Sequence, residues 1–262
     1  MCMFAAQASV RGTQIFASRI GSRQVLVYSA KVETPDRNAM MLPVPVAAGG
    51  APIELIDLSA YPRFFEDLTS YFIAPPPAFG GPQARLEVFQ VGSFEVSIVP
   101  TLGDMSRLDE RFNLSPTLRA TLAERYADHA FVVYQFAPGK QLLHPFGFSF
   151  ESRYARHLFY PTVHVHDGVG APPGADFAHT FYAQGAKLVE RHLPPHLRGG
   201  AGGAAHQQGW DPGPGAYGFA PPAPGTPMGP RFPPFIQPEA PLDHGALFGT
   251  YANIDVFVQL AS

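Results

Sequence analysis

Gln14–Lys31 reads QIFASRIGSRQVLVYSAK, and this stretch decides the fold class. Two runs rich in β-branched and aromatic residues, Gln14–Ser18 and Gln24–Lys31, flank the dipeptide Gly21-Ser22. Glycine enters the left-handed backbone region at no steric cost, so the dipeptide reads as a two-residue hairpin turn between strands. Outward from this hairpin, further strands are expected at Leu86–Val91, Phe94–Val99, Ala130–Phe136, Gly147–Phe150, Phe159–His166 and Phe177–Ala183. A last one is expected over Tyr251–Gln259, with Ile254, Val256 and Val258 on one face. Ala39–Val46 (AMMLPVPV) is apolar, but Pro43 and Pro45 lack ladder donors, which predicts an edge strand or an extended wall.

Helical spacing is found in two places. Phe64, Phe65, Leu68, Tyr71 and Phe72 form an apolar stripe that predicts a helix from Ala60 to Phe72, capped by Ser59. Ser115 followed by Pro116 predicts a second helix from Pro116 to Asp128. Strands and helices do not alternate as βαβ units. The expected class is therefore α+β, with mostly antiparallel sheet and about two main helices. Between Pro194 and Pro241, 48 residues hold 10 Gly and 13 Pro, a composition that buries too little apolar surface to offset the entropy of ordering. A long irregular loop over 194–242 is expected. Residues 1–193 and 243–262 would then form a single globular domain. Trp210, Tyr217, Phe219, Phe232 and Phe235 are candidates to pin the loop to that domain or to a protein partner.

Composition narrows the function. Of 262 residues, 46% are hydrophobic and 15% charged, with 22 Phe and 10 Tyr, which predicts an aromatic-rich core. A net charge of −3 gives no electrostatic footprint for nucleic acid or an anionic membrane. One cysteine excludes an internal disulfide framework and a cysteine-based zinc cluster. No signal peptide or long apolar span is legible, so a soluble cytoplasmic protein is expected. Phosphate-loop, G-x-S-x-G and H-E-x-x-H motifs are missing from the sequence.

Three functional readings remain. The sole cysteine, Cys2, follows the initiator methionine. Removal of Met1 would leave a thiol and a free amine on one residue, a nucleophile with its own base. This reading makes Cys2 the nucleophile of an amide hydrolase, Arg19 its electrostatic helper and Asn38 an oxyanion donor. The substrate would be a small-molecule or peptide amide, and no cofactor would be required. The start Met-Cys, with Arg19 in the second strand, resembles the choloylglycine hydrolase and penicillin V acylase family over roughly the first thirty residues. That resemblance implies an N-terminal-nucleophile hydrolase. The family's aspartate after the arginine has no counterpart in Ile20-Gly21-Ser22-Arg23.

The second reading is a metal-binding protein. In FYPTVHVHDG (Phe159–Gly168), His164 and His166 share a strand face, and His179 on the expected return strand would complete a three-histidine site. His144 and His157 are further candidates. Neutral imidazoles suit a transition metal such as Zn²⁺ or Fe²⁺. The competing structural reading is a surface hairpin turning at Asp167-Gly168, its histidines bonded to backbone carbonyls. A third reading is a non-catalytic interaction protein whose 194–241 segment orders on a partner. Together AMMLPVP and FYPTVHVHDG resemble an uncharacterised bacterial family, a likeness that implies no biochemical role.

Overall fold

The computed structural model describes residues 2–72, 95–108, 114–186, 188, 210–211 and 232–260. The hairpin is as expected but longer. Strands β2 (Ser9–Ile20) and β3 (Arg23–Thr34) pair antiparallel with Ile20 opposite Arg23, and Gly21 turns the chain at φ 58°. They sit inside a seven-stranded sheet. Its other members are β5 (Glu54–Ile56), β8 (Gly139–Glu151), β11 (Gly174–Gln184), β12 (Trp210–Asp211) and β13 (Leu242–Ala252), in the order β12-β13-β11-β2-β3-β8-β5.

A second sheet of five strands runs β10-β1-β4-β7-β6. It comprises β1 (Cys2–Phe4), β4 (Asn38–Val44), β6 (Glu95–Val99), β7 (Ala130–Phe136) and β10 (His164–Val165). A two-stranded ribbon joins β9 (His157–Tyr160) to β14 (Val256–Gln259). Pairings β1·β10 and β2·β11 are parallel, and the other ladders are antiparallel. The molecule is thus sheet-rich with mixed sheets, compatible with α+β.

Alternation along the central strands assigns the layers. Leu26, Tyr28, Ala30 and Val32 of β3 join Met3, Phe4, Met40 and Leu42 in the core between the two sheets. Val25 and Val27, pointing the other way, meet Phe64, Phe65, Leu68 and Phe72 of helix α1 (Phe64–Phe72). Each of those α1 side chains contributes about 2 kcal/mol by leaving water. Helix α2 (Pro116–Tyr126) adds Leu118, Leu122 and Tyr126 to the inter-sheet core. Its cap is as expected, with Ser115 Oγ accepting from Leu118 N–H at 3.1 Å.

Several expectations are corrected. Ala39–Val46 does not lie at an edge: β4 is the middle strand of its sheet and is buried throughout. Pro45 lies beyond the end of β4, and Pro43 is tolerated because of its place along the β1·β4 ladder. Ala39 presents its carbonyl to Ala5 N–H, and by alternation Pro43 faces the same side, beyond the start of β1 at Cys2. Its missing N–H therefore removes no bond of the described β1·β4 ladder, whose pairs are Met3–Met41 and Phe4–Met40. Helix α1 starts at Phe64, not Ala60, because Pro62 disfavours helical backbone at Tyr61. Ser59 is no cap; its N–H bonds Asp57 Oδ1 in a turn. Tyr251–Gln259 and Phe159–His166 are each two strands in different sheets, broken at Asn253–Asp255 and at Pro161–Val163. Leu86–Val91 lies outside the described residues.

Part of the segment expected as an irregular loop belongs to the body. Ile236 is buried against the α1 layer with Phe232 and Phe235 beside it, and Trp210–Asp211 pairs with β13. Residues 194–209 and 212–231, including Tyr217 and Phe219, lie outside the described residues.

Four buried side-chain amides hold the irregular connections. Each accepts from the N–H and donates to the carbonyl of one residue, as a neighbouring strand would. Asn38 grips Ala6 (3.0 and 3.0 Å), Gln24 grips Phe159 (3.0 and 2.7 Å), Gln184 grips Gln237 (2.9 and 2.8 Å) and Asn253 grips His164 (2.6 and 2.8 Å). All four are at most 1% exposed. Buried backbone groups need such partners, and here the ladders end too early to supply them.

Candidate functional site

The segment after β9 leaves its ribbon at Pro161 and is rebuilt as β10 by contacts with 253–255. Thr162 N–H and Val163 N–H donate to Asp255 Oδ1 at 2.7 and 3.3 Å, Thr162 Oγ1 donates to the Ile254 carbonyl at 2.7 Å, and Asn253 clamps His164. Tyr126 of α2 donates its hydroxyl to Asp255 Oδ2 at 2.7 Å. Beyond β10, Ala8 N–H bonds the His166 carbonyl and Gln7 bridges to Asp167. Asp167 Oδ1 then accepts from Val169 N–H to turn the chain at Gly168. The histidine pair is thus held from both sides by backbone pairing.

Removal from water raises the Asp255 carboxyl to about 6, against hydrogen bonds from Tyr126, Thr162 and Val163 that favour its charge. A folded-state pKa above the unfolded value means that the native state binds the proton more tightly. The resulting stabilisation is full below the unfolded pKa and is lost as pH rises through about 6. Relative to Asp255→Asn, the native protein is expected to lose about 1.4 kcal/mol of stability between pH 5 and 7.5. Urea denaturation of both proteins at the two pH values measures this, and a pH-independent difference would refute it. Other titrating groups are common to both chains and cancel.

His164 is 7% exposed and His166 half-buried, with ring centroids 4.9 Å apart. His179, on β11 in the facing sheet, is 2% exposed and lies 5.0 Å from His164, centroid to centroid. The structure therefore brings together the three histidines that the sequence singled out. Phe177 lies 4.6 Å from His164 and Phe4 6.0 Å from His166, so the surroundings are apolar. Burial drives the pKa of His164 down to about 2. Burial takes His166 to about 4 and His179 well below its ordinary value. All three rings are neutral near pH 7, the state in which imidazole ligates metals. Nε2 of His164 and Nε2 of His166 are buried without a hydrogen-bond partner among the described residues. Beside them opens a cleft of about 430 Å³, lined also by Gln7, Asp167 and Asp176.

The surface-hairpin reading fails on burial. The turn at Asp167-Gly168 is present, but the rings face inward. Among the described residues, however, no three His, Cys, Asp or Glu side chains already converge at metal-ligand geometry. Closing a site takes ring rotation about the soft terminal torsion or a further donor.

The hydrolase set is dispersed. Cys2 on β1 is register-paired with His164 in the parallel β1·β10 ladder. Arg19 is six residues along β2 from Thr13, the partner of His179, which puts it about 20 Å away. Its guanidinium donates to the carbonyls of Ser22, Tyr154 and His157 and ties the hairpin to β9. Asn38 is used up by its clamp, donating to Ala6, Gln7 and Thr34 and accepting from Ala6 and Ala39. Neither residue accompanies Cys2, so the roles expected for Arg19 and Asn38 are withdrawn. His157 stands on β9 in the ribbon, away from β10, and the side chain of His144 lies outside the described residues. Sequence reasoning missed Asn253 and Asp255 as the residues that position the site. Their only signal was the polar-apolar-polar break Asn253-Ile254-Asp255 inside an apparently continuous strand.

No family model matches the chain, and no curated protein matches it. Among solved structures it is similar to the crystal structure of baculovirus P35, with a TM-score of 0.54, 9% sequence identity and coverage of 100% of both chains. At that identity the likeness shows a shared fold and nothing further.

Proposed function

We propose that the protein binds a divalent transition metal, Zn²⁺ or Fe²⁺, at the interlayer cluster. His164 and His166 ligate through Nε2, and His179 is the third imidazole. The observation that carries this reading is the adjacent pair of neutral imidazoles whose buried Nε2 atoms have no hydrogen-bond partner among the described residues. Leaving such atoms unpaired is costly, and a metal satisfies both at once. Removal of metal with a chelator, followed by calorimetric titration with Zn²⁺, tests it. One ion per chain is expected. At a hundredfold excess over Kd the gain is about 2.7 kcal/mol, or about 5–10 °C in Tm. Binding that is absent, or that persists in the His164→Gln, His166→Gln double variant, overturns the reading.

A second reading is favoured by the register pairing of Cys2 with His164. An N-terminal-cysteine hydrolase of a small-molecule or peptide amide would use a neutral imidazole as base in place of Arg19 and Asn38. The thiol proton passes to the base and the sulfur attacks the carbonyl. The amine leaves with that proton, and water then cleaves the thioester. Intact mass after exposure to an activated acyl amide distinguishes it: an acyl adduct on Cys2 is expected, and an unmodified chain rejects it.

A further inference from the structure

We propose that the outer face of the seven-stranded sheet binds a small phosphate monoester, its oxyanion held between Arg11 and Lys31. The site is separate from the histidine cluster and does not rest on the metal-binding reading.

Two bulges build it. On β2 the register steps from Arg11↔Lys31 to Gln14↔Ser29, three residues against two on β3. On β8 it steps from Leu143↔Ala30 to Phe146↔Tyr28, again three against two, at the same level of β3. Gly12 stands in the first bulge at φ 60°. A bulge breaks strict alternation and re-aims the side chains beside it. Without the extra residue Arg11 and Gln14 would point to opposite faces. With it, both join Ser29 and Lys31 on the outer face, where Val25 and Val27 meet α1, while Val10 and Val32 turn to the inter-sheet core.

Over the bulges lies a pocket of about 220 Å³, lined by Gly12, Ser29 and Pro145 of the strands and by Phe65 and Glu66 of α1. It adjoins a cavity of about 400 Å³ that shares Lys31 with it and adds Arg11 and Lys140. Ser29 Oγ donates to the Leu143 carbonyl at 2.8 Å, so the bulged backbone of β8 is fixed by its neighbour. The two spaces together have the size of a small-molecule site.

Charge names the ligand. Arg11 and Lys31 are register partners, so two like charges stand directly opposite, an arrangement that lowers stability. Glu33, next along that face, is matched by its own partner Lys140 at 3.8 Å. An oxyanion between Arg11 and Lys31 turns the repulsion into attraction. The guanidinium fork takes two phosphate oxygens, and the ammonium adds a point charge. A phosphate monoester carries about −1.5 to −2 at neutral pH and so answers both cations, where a carboxylate answers one. The body of the ligand extends past Lys31 into the smaller pocket, where Glu66 accepts from a hydroxyl.

Calorimetric titration of the full chain with glucose 6-phosphate at low salt, with a chelator keeping metal off the histidines, gives the test. One molecule per chain is expected; glucose should not bind, and gluconate should bind at least about tenfold more weakly. Arg11→Gln and Lys31→Gln should each lower affinity at least about tenfold. Both variants should be no less stable than the native chain in urea, because each relieves a repulsion, so lost binding is not lost folding. Glu66→Gln should weaken glucose 6-phosphate and leave inorganic phosphate unchanged; equal affinity for the sugar phosphate would overturn the placement of its body. Absence of binding, or binding undiminished in the Arg11→Gln, Lys31→Gln double variant, overturns the proposal. Gluconate binding as tightly as glucose 6-phosphate overturns the assignment to phosphate. The His164→Gln, His166→Gln variant should bind glucose 6-phosphate unchanged, so this site and the metal site stand or fall separately.

Discussion

Asn253→Leu is expected to destabilise the protein by about 4 kcal/mol, the larger effect of any single polar substitution near the site. Asn253 is fully buried and supplies both partners of the His164 peptide groups, at 2.6 and 2.8 Å. Leucine preserves the volume but strands one N–H and one carbonyl of the buried His164. Each stranded group costs about 1–3 kcal/mol, far more than the net worth of the bonds when made. For a chain of this size the loss lowers Tm by about 10 °C. Chemical denaturation measures it, and amide exchange at His164 locates it. A loss below about 1 kcal/mol would mean that β10 finds other partners. Metal affinity should fall in the same variant, because the clamp holds the strand that carries two donors.

Gly168→Ala carries a comparable penalty from a different source. Gly168 has φ 71°, and an added Cβ would stand 2.2 Å from the Ala5 carbonyl oxygen and 2.7 Å from its carbon. Those atoms belong to the backbone that follows β1 and cannot rotate aside. The left-handed conformation alone costs about 1 kcal/mol for alanine, and forcing the backbones apart brings the total to about 4 kcal/mol. Gly12 supplies the control. It has φ 60° but nothing within 4 Å of its Cβ position, so Gly12→Ala should lose only the conformational part, about 1 kcal/mol. Equal effects at the two positions in urea titration would show that steric contact with Ala5 plays no part.

The hairpin of β2 and β3, strand β7 and helix α2 were legible because each rests on local chemistry. A left-handed glycine sits between two β-branched runs, AFVVYQF (Ala130–Phe136) is unbroken, and a serine cap is followed by proline. Strand β4 was misplaced because a proline is judged against two neighbours, and only the sheet shows that Pro43 lies past the described β1·β4 pairs, Met3–Met41 and Phe4–Met40. The ends of β9 and β13 were invisible for a related reason. Asn253 and Asp255 look like the solvent face of a continuing strand, yet they turn inward to serve the backbone of Thr162–His164.

The candidate site divides the same way. Residue types and two-residue spacing placed His164 and His166 together without reference to the fold, since strand geometry is periodic. Their meeting with His179, the burial that lowers the pKa of all three, and the removal of Arg19 and Asn38 from the neighbourhood of Cys2 belong to the tertiary structure. Periodicity reports which side chains share a face. Which face meets which depends on register between strands more than a hundred residues apart, and that register is set by the whole core and by the buried amides that bridge it.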